Sequence, residues 1–326
     1  MLMNFNTYFE EEIDRFCERF DGKLDYLQKY LLIPGKQFRP QLYLDFIENF
    51  RPLQRSDFEI AVGIEFLHLF FLVHDDLMDG DELRRDHETI HFYYRKFFGE
   101  LKANGVSIIV GDLLFCRALE LMHKNFTSSG SSQVTFYVTG KTAHGQLQEY
   151  LLKPENMSEA NESELITFYK EKTALYSVFL PMALGFYEGG VKLDFNIKDL
   201  EELSANLGVA FQLRDDLIEF TGEKKRNSNN LSADVMRGKI TPMLLKILEN
   251  ADIDTKKRWF QEWTNSELSV QSHDEILAFG EKFQVVASTE AFIQIHLQKA
   301  FKLSKEMKID HLPSLQNLFT LMKIQL

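Results

Sequence analysis

Apolar residues recur at three- and four-residue intervals along most of the chain, as in IEFLHLFF (64–71), DLLFCRALELM (112–122) and MLLKIL (243–248). That is the period of an α-helix. No stretch alternates convincingly at period two, so strands are not expected. The helical runs are separated by polar or Gly-rich stretches: FTSSGSSQ (126–133), KPENMSEANESE (153–164), YEGG (187–190) and TGEKKRNSNNLSAD (221–234). Each reads as a loop between helices. None is long or biased enough to link two domains, so residues 1–326 are expected to form a single all-α domain. From about residue 250 onward the pattern is charged and amphipathic and carries no motif.

Two apolar runs end alike. IEFLHLFFLVHDDLMD (64–79) and NLGVAFQLRDDLIEF (206–220) each close on adjacent aspartates, with a third carboxylate four positions after the first. On a helix of 3.6 residues per turn, Asp75 and Asp79 share a face and Asp76 lies about 100° round; Asp215, Glu219 and Asp216 repeat the arrangement. Like charges so spaced cost roughly 0.2–0.5 kcal/mol on an exposed helix, and more where the apolar run draws them inward. A hard divalent cation answers that charge. Mg²⁺ in particular is held by one or two carboxylates together with substrate phosphates and water. A lone DDxxD is more often a solvated acidic face, but two copies on apolar helices point to metal and a phosphorylated substrate.

Charge and composition narrow the class. The 326 residues carry 37 − 49 = −12 formal charges and are 44% hydrophobic, a globular composition whose acidity disfavours nucleic acid as partner. The most apolar stretch, Ile60 to Val73, is interrupted by Glu65 and His68 and falls short of the ~20 residues needed to span a bilayer, so no membrane span is expected. The N-terminus is acidic where a signal peptide needs Lys or Arg, and two cysteines, Cys17 and Cys116, make no disulfide framework, so a cytoplasmic location is expected. Basic residues accompany the acidic motifs: Arg84 and Arg85, Lys36 and Arg39 in GKQFRP, Lys172 in EKTALY and Lys239 in RGKIT. Guanidinium forks suit bidentate phosphate binding, and the combination suggests a diphosphate site.

With GKQFRP, HLFFLVHDDLMDGDELRR, GDLL (111–114), GQ (145–146), KTALY, FQLRDD and ADVMRGKIT in that order from about residue 35 to 245, the chain resembles the trans-prenyl diphosphate synthases. The resemblance implies a bundle of antiparallel helices around a deep central cavity, usually in a homodimer. It implies condensation of isopentenyl diphosphate with an allylic diphosphate, dimethylallyl or geranyl. Three Mg²⁺ ions would grip the allylic diphosphate, whose C–O bond ionises. The carbocation alkylates isopentenyl diphosphate, and proton loss completes the product. By position, Asp75, Asp79 and Asp215 match direct metal ligands, Asp76 and Asp216 match supporting metal residues, and Glu219 completes the metal set by reaching a cation directly or through water. Lys36, Arg39, His68 and Arg85 match binders of isopentenyl diphosphate. Arg84, Lys172, Thr173, Gln212 and Lys239 match contacts of the allylic diphosphate. Phe71 and Phe70, four and five residues before Asp75, match the positions that floor the elongation cavity. Two rings there resemble farnesyl diphosphate synthases, which stop at fifteen carbons.

Several positions depart from the family pattern. Glu219 stands where Asp is usual, and Asp86 where Gly normally follows the Arg pair. Asn230 replaces a lysine, beside Asn229 and Ser232, and Lys224, Lys225 or Arg226 could stand in for it. Other readings compete. HETIH (87–91) matches the zinc-peptidase HExxH pattern, which needs His87 and His91 on one helix face. GKT (140–142) lacks the first Gly of a phosphate loop, having Thr135 there. A longer-chain synthase, a terpene cyclase or a catalytically silent synthase subunit would share much of the pattern.

Overall fold

The computed structural model of the chain describes residues 4–20, 22, 24–33, 35–151, 162–190, 194–221, 233–265 and 268–322. The all-α expectation holds, with one small exception. The chain divides into two compact units, residues 1–133 with 184–192 and residues 134–183 with 193–326.

The first unit contains α1 (Phe5–Glu18), α2 (Asp25–Leu31), α3 (Phe38–Glu48), α4 (Arg55–Asp79), a hairpin of β1 (Leu83–Arg84) and β2 (His87–Glu88), α5 (Ile90–Phe98) and α6 (Glu100–His123). Its axis is α4, apolar nearly all round, as a helix buried on every side must be. Phe58, Ile64, Phe66, Leu67 and Val73 are buried against neighbours that include α1, α3 and α6. Helices α4 and α6 run antiparallel and approach closely at two glycines: a Cβ on Gly63 would lie 2.5 Å from Met122, and one on Gly111 2.2 Å from the His74 ring. Gly80, in the left-handed region at φ 66°, ends α4 directly after Asp79. The first acidic motif is thereby fixed on the last turn of a rigid, buried helix.

The hairpin is the exception to the all-helical reading. Leu83 pairs with Glu88 and Arg84 with His87, so Arg85 and Asp86 form a two-residue turn with φ of 51° and 65°. A type I′ hairpin turn requires positive φ at both central residues and favours Asn, Asp or Gly followed by Gly, so the Arg-Asp pair of LRRDHE carries no turn signal. The same geometry explains why Asp86 occupies a position suited to glycine.

The second unit holds the C-terminal part of α7 (Ser129–Leu151), then α8 (Glu162–Tyr169), a π-helix (Lys170–Phe179), the start of α9 (Leu180–Glu188), α10 (Ile197–Thr221), α11 (Ala233–Arg237), α12 (Pro242–Asn250), α13 (Ile253–Thr264), α14 (Val270–Lys282), α15 (Val285–Glu306) and α16 (Pro313–Leu321). Its axis is α10, packed on the π-helix and α15. Nothing in the spacing of KEKTALYSVF announces a π-helix, a rare form that recurs at functional positions. Gly208 of α10 meets it at Ala174, where an added Cβ would sit 2.2 Å from the alanine Cβ and 2.4 Å from its Cα. Backbone cannot yield there without displacing the segment that bears Lys172 and Thr173. Gly208→Ala is therefore expected to destabilise the protein by about 1–3 kcal/mol, read as a lowered denaturant midpoint; an unchanged midpoint would contradict the close approach.

The helices after residue 250, silent in sequence, brace the ADVMRGKIT stretch. Trp263 donates its indole N–H to the Val235 carbonyl at 2.9 Å, and its ring lies against Gly238, which adopts φ 66°. The Lys239 amide donates to the Asp234 carbonyl at 2.9 Å, closing the turn that aims Lys239 back at α10.

The break expected over FTSSGSSQ is shorter than the polar run: 124–128 separates α6 from α7, and Ser129 to Gln133 already form the first turn of α7, while α9 ends at Glu188 within YEGG. The candidate substitutes Lys224, Lys225 and Arg226, with Asn229, Asn230 and Ser232, lie outside the described residues. HETIH does not form one helix: His87 and Glu88 are in β2, and α5 begins at Ile90. The zinc-peptidase arrangement is thus absent. GKT lies inside α7, which follows helix α6 rather than a strand.

Candidate functional site

In the first unit, Asp75 and Asp79 occupy the last turn of α4; the Asp75 side chain is 26% exposed and Asp79 is exposed. Asp76, on the inward side, is 1% exposed. It accepts a hydrogen bond from the Tyr30 hydroxyl at 2.6 Å and is forked by the Arg84 Nε and Nη2 groups; Arg84 Nη2 also stands 3.8 Å from Asp75. Burial outweighs these partners and pushes the Asp76 carboxyl up to about 6.

Behind this motif lies a second cluster. Arg39 of α3 places Nη1 3.2 Å from Nε2 of His68, and both are buried. Burial, then the neighbouring Arg39, Arg85 and Arg84, hold the His68 imidazole well below its ordinary pKa, so it is neutral. Arg85 packs its guanidinium on Gly35, where a Cβ would lie 2.7 Å from Nη1. The glycine of GKQFRP makes room for that group. Glu65, one turn before His68 on α4, completes the cluster, although its place in an apolar run carries no functional signal; Lys36 is exposed.

The second unit repeats the scheme. Asp215 and Glu219 lie half-buried on α10, while Asp216 is 2% exposed. Asp216 accepts from the Tyr169 hydroxyl, from Gln212 Nε2 at 3.1 Å and from Lys239 Nζ at 3.4 Å. Lys239 also reaches Asp234 at 3.3 Å. Burial opposes the Lys239 charge, but Asp216, Asp234 and Glu149 together keep the ammonium strongly protonated. Lys172 forms an ion pair with Glu149, and Thr173 donates to the Gln212 side-chain oxygen at 2.8 Å. Each motif therefore buries its middle aspartate under a tyrosine and a cation, Tyr30 with Arg84 in one and Tyr169 with Lys239 in the other. Neither tyrosine, nor Glu149, stands out in sequence, because each is distant along the chain from the residue it serves. Asp234 lies within the ADVMRGKIT motif.

Among the described residues no three His, Cys, Asp or Glu side chains converge closely enough to hold an ion by themselves. The outer carboxylates of each motif form an all-oxygen donor set. That fits a hard cation completing its shell with substrate phosphate and water, as Mg²⁺ does. No helix among the described residues is long and apolar enough to cross a membrane.

The family model described as polyprenyl synthetase matches residues 22–278. A geranylgeranyl diphosphate synthase of Saccharolobus solfataricus is 33% identical over 230 residues, 68% of this chain and 65% of that protein. A farnesyl diphosphate synthase of Bacillus subtilis is 27% identical over 258 residues, 74% of this chain and 82% of that one. Among solved structures, a decaprenyl diphosphate synthase from Rhodobacter capsulatus superimposes with a TM-score of 0.78 at 22% identity, covering 98% of this chain and 93% of that one. Seven motifs in order, two matching acidic motifs and a family match over most of the length agree: the chain belongs to the polyprenyl synthetase family, the trans-isoprenyl diphosphate synthases, and is a prenyltransferase.

Proposed function

We propose that the enzyme condenses isopentenyl diphosphate with dimethylallyl or geranyl diphosphate and stops at farnesyl diphosphate. The observation that carries the product length is a ring cluster one turn before Asp75. Phe70 packs at a tilt against Phe71, 4.8 Å between centroids, and against Phe115 of α6, 5.0 Å between centroids, with the His74 ring edge-on 4.8 Å away. A Phe70 ring held by two neighbouring Phe rings resists displacement by a growing chain better than a lone side chain would.

In this reading Asp75, Asp79 and Asp215 are the metal ligands, Glu219 assists, and the buried Asp76 and Asp216 orient the motifs through Arg84 and Lys239. Mg²⁺, three ions in the family pattern, supplies positive charge where the leaving diphosphate accumulates negative charge. Arg84, Lys172 and Lys239 share that role toward the allylic diphosphate. The Thr173–Gln212 pair presents fixed dipoles to the developing allylic cation. Lys36, Arg39 and Arg85 hold isopentenyl diphosphate, with neutral His68 as a further hydrogen-bonding partner. The single-domain reading of residues 1–326 belongs to the same proposal, since the chemistry requires both acidic motifs.

We further propose a homodimer, supported by Leu101, Ile108, Ile109 and Leu113, all exposed along α6. A cytoplasmic location accords with Cys17 and Cys116, both free thiols.

The test is incubation with labelled isopentenyl diphosphate and, separately, dimethylallyl, geranyl and farnesyl diphosphates, with Mg²⁺ or EDTA, followed by chromatography of the dephosphorylated products. Mg²⁺-dependent farnesol from the two shorter primers, with little beyond it, is the expected result. Phe71→Ala and Phe70→Ala should then shift the main product by at least one five-carbon unit. Longer alcohols from the unaltered chain would establish a geranylgeranyl or polyprenyl synthase instead. No elongation from any primer would favour a silent subunit or a cyclase.

A further inference from the structure

Six carboxylates are buried among the described residues, and five have partners. Glu12 binds Arg117, Asp57 binds Arg51, Asp76 binds Arg84, Glu188 accepts from Thr127 and Ser131, and Asp216 accepts from Tyr169 and Lys239. Glu65 differs. It is 6% exposed, and its Oε2 has no hydrogen-bond partner among the described residues. A buried, unsatisfied carboxylate is costly and calls for an explanation.

Its surroundings supply one. The charges that act on Glu65 are the guanidinium groups of Arg39, from α3, and Arg85, from the hairpin turn. His68, one turn further along α4, is neutral. Helices α1 and α6 also pack on α4, but their buried charges, Glu12 and Arg117, are bound to each other. Glu65 is thus a buried carboxylate with an unbonded Oε2, under the influence of two nearby cations. We propose that Glu65 is the counter-charge of the isopentenyl diphosphate site, offsetting Arg39 and Arg85 before substrate arrives and opposing the incoming diphosphate, so that the site binds this substrate more tightly when Glu65 is neutral.

The proposal rests on the assignment of Arg39, His68 and Arg85 to isopentenyl diphosphate made above. Burial already pushes the Glu65 carboxyl up to about 6, against the pull of Arg39 and Arg85. A diphosphate between the same arginines adds negative charge and drives the group further toward protonation. Binding of isopentenyl diphosphate should therefore take up protons near neutral pH. Affinity should fall as pH rises through Glu65 ionisation.

The experiment compares KM for each substrate in the wild-type enzyme and Glu65→Gln from about pH 5.5 to about pH 8. At the upper end the variant should show a KM for isopentenyl diphosphate about tenfold lower than wild type. The two should converge at the lower end, where Glu65 is protonated, and the allylic KM should move less than about twofold. The pH-dependence of the diphosphate itself is common to both proteins and cancels. An isopentenyl KM that is unchanged or higher in the variant, or an equal change in both KM values, overturns the proposal; a purely structural role would alter thermal stability without splitting them.

Should Glu65→Gln fail to fold, calorimetry of isopentenyl diphosphate binding to the wild-type protein in two buffers of different ionisation enthalpy replaces it. Proton uptake beyond that of the free diphosphate supports the counter-charge, and its absence overturns it. Wild-type protein that neither elongates nor binds isopentenyl diphosphate overturns the functional reading and Glu65's role together. Wild-type turnover with a Glu65→Gln protein of identical KM overturns the role alone.

Discussion

Asp75→Asn is expected to lower kcat/KM for elongation by about 10³-fold while leaving the melting temperature nearly unchanged. The Asp75 side chain is partly exposed at the end of a helix whose stability is set by Phe58, Ile64, Phe66 and Val73 further in, so the substitution removes a ligand without opening the core. What it removes is one carboxylate from a donor set that depends on substrate phosphate for completion. The apparent Mg²⁺ requirement should therefore rise along with the loss of rate. Steady-state kinetics across a Mg²⁺ titration, with thermal melts on the same preparations, checks both parts. Turnover at the wild-type level would remove Asp75 from the metal site.

The adjacent residue should behave in the opposite way. Asp76→Ala is expected to cost about 3–5 kcal/mol of stability, because it leaves the Arg84 guanidinium largely buried without its principal partner and strips the buried Tyr30 hydroxyl of its acceptor. Denaturant unfolding reads this as a lower midpoint at unchanged slope. A stable Asp76→Ala protein would show that the buried fork contributes little and that Asp76 serves the metal directly. Two neighbouring aspartates of one DDxxD motif thus separate into a functional and a structural residue. The same division is expected between Asp215 and Asp216, where Tyr169, Gln212 and Lys239 fix the buried member.

Glycine positions show how far local pattern reaches. Gly80 could be anticipated as the stop after a helical run, because a left-handed residue ends a helix in a way that sequence records. Gly35, Gly111 and Gly208 could not. Each is required by a side chain or backbone far away in the chain: the Arg85 guanidinium, the His74 ring and Ala174. The turn at Arg85 and Asp86 was equally hidden, since neither residue type advertises positive φ. The π-helix at 170–179 has the composition of an ordinary amphipathic helix, and its packing against Gly208 of α10 is a tertiary matter.

Spacing along single segments carries the local part of this molecule. The sequence specified the helical class through its three- and four-residue period, put Asp75 with Asp79 and Asp215 with Glu219 on common faces, and carried the ordered motifs of a prenyl diphosphate synthase. The tertiary structure decided everything that depends on burial. It turned Asp76 and Asp216 inward onto Tyr30 with Arg84 and Tyr169 with Lys239, made His68 neutral beside Arg39, and left Glu65 enclosed near two arginines with its Oε2 unbonded. A charge's behaviour is set by how much water it keeps and which opposite charges approach it, and both are properties of residues brought together from distant parts of the chain.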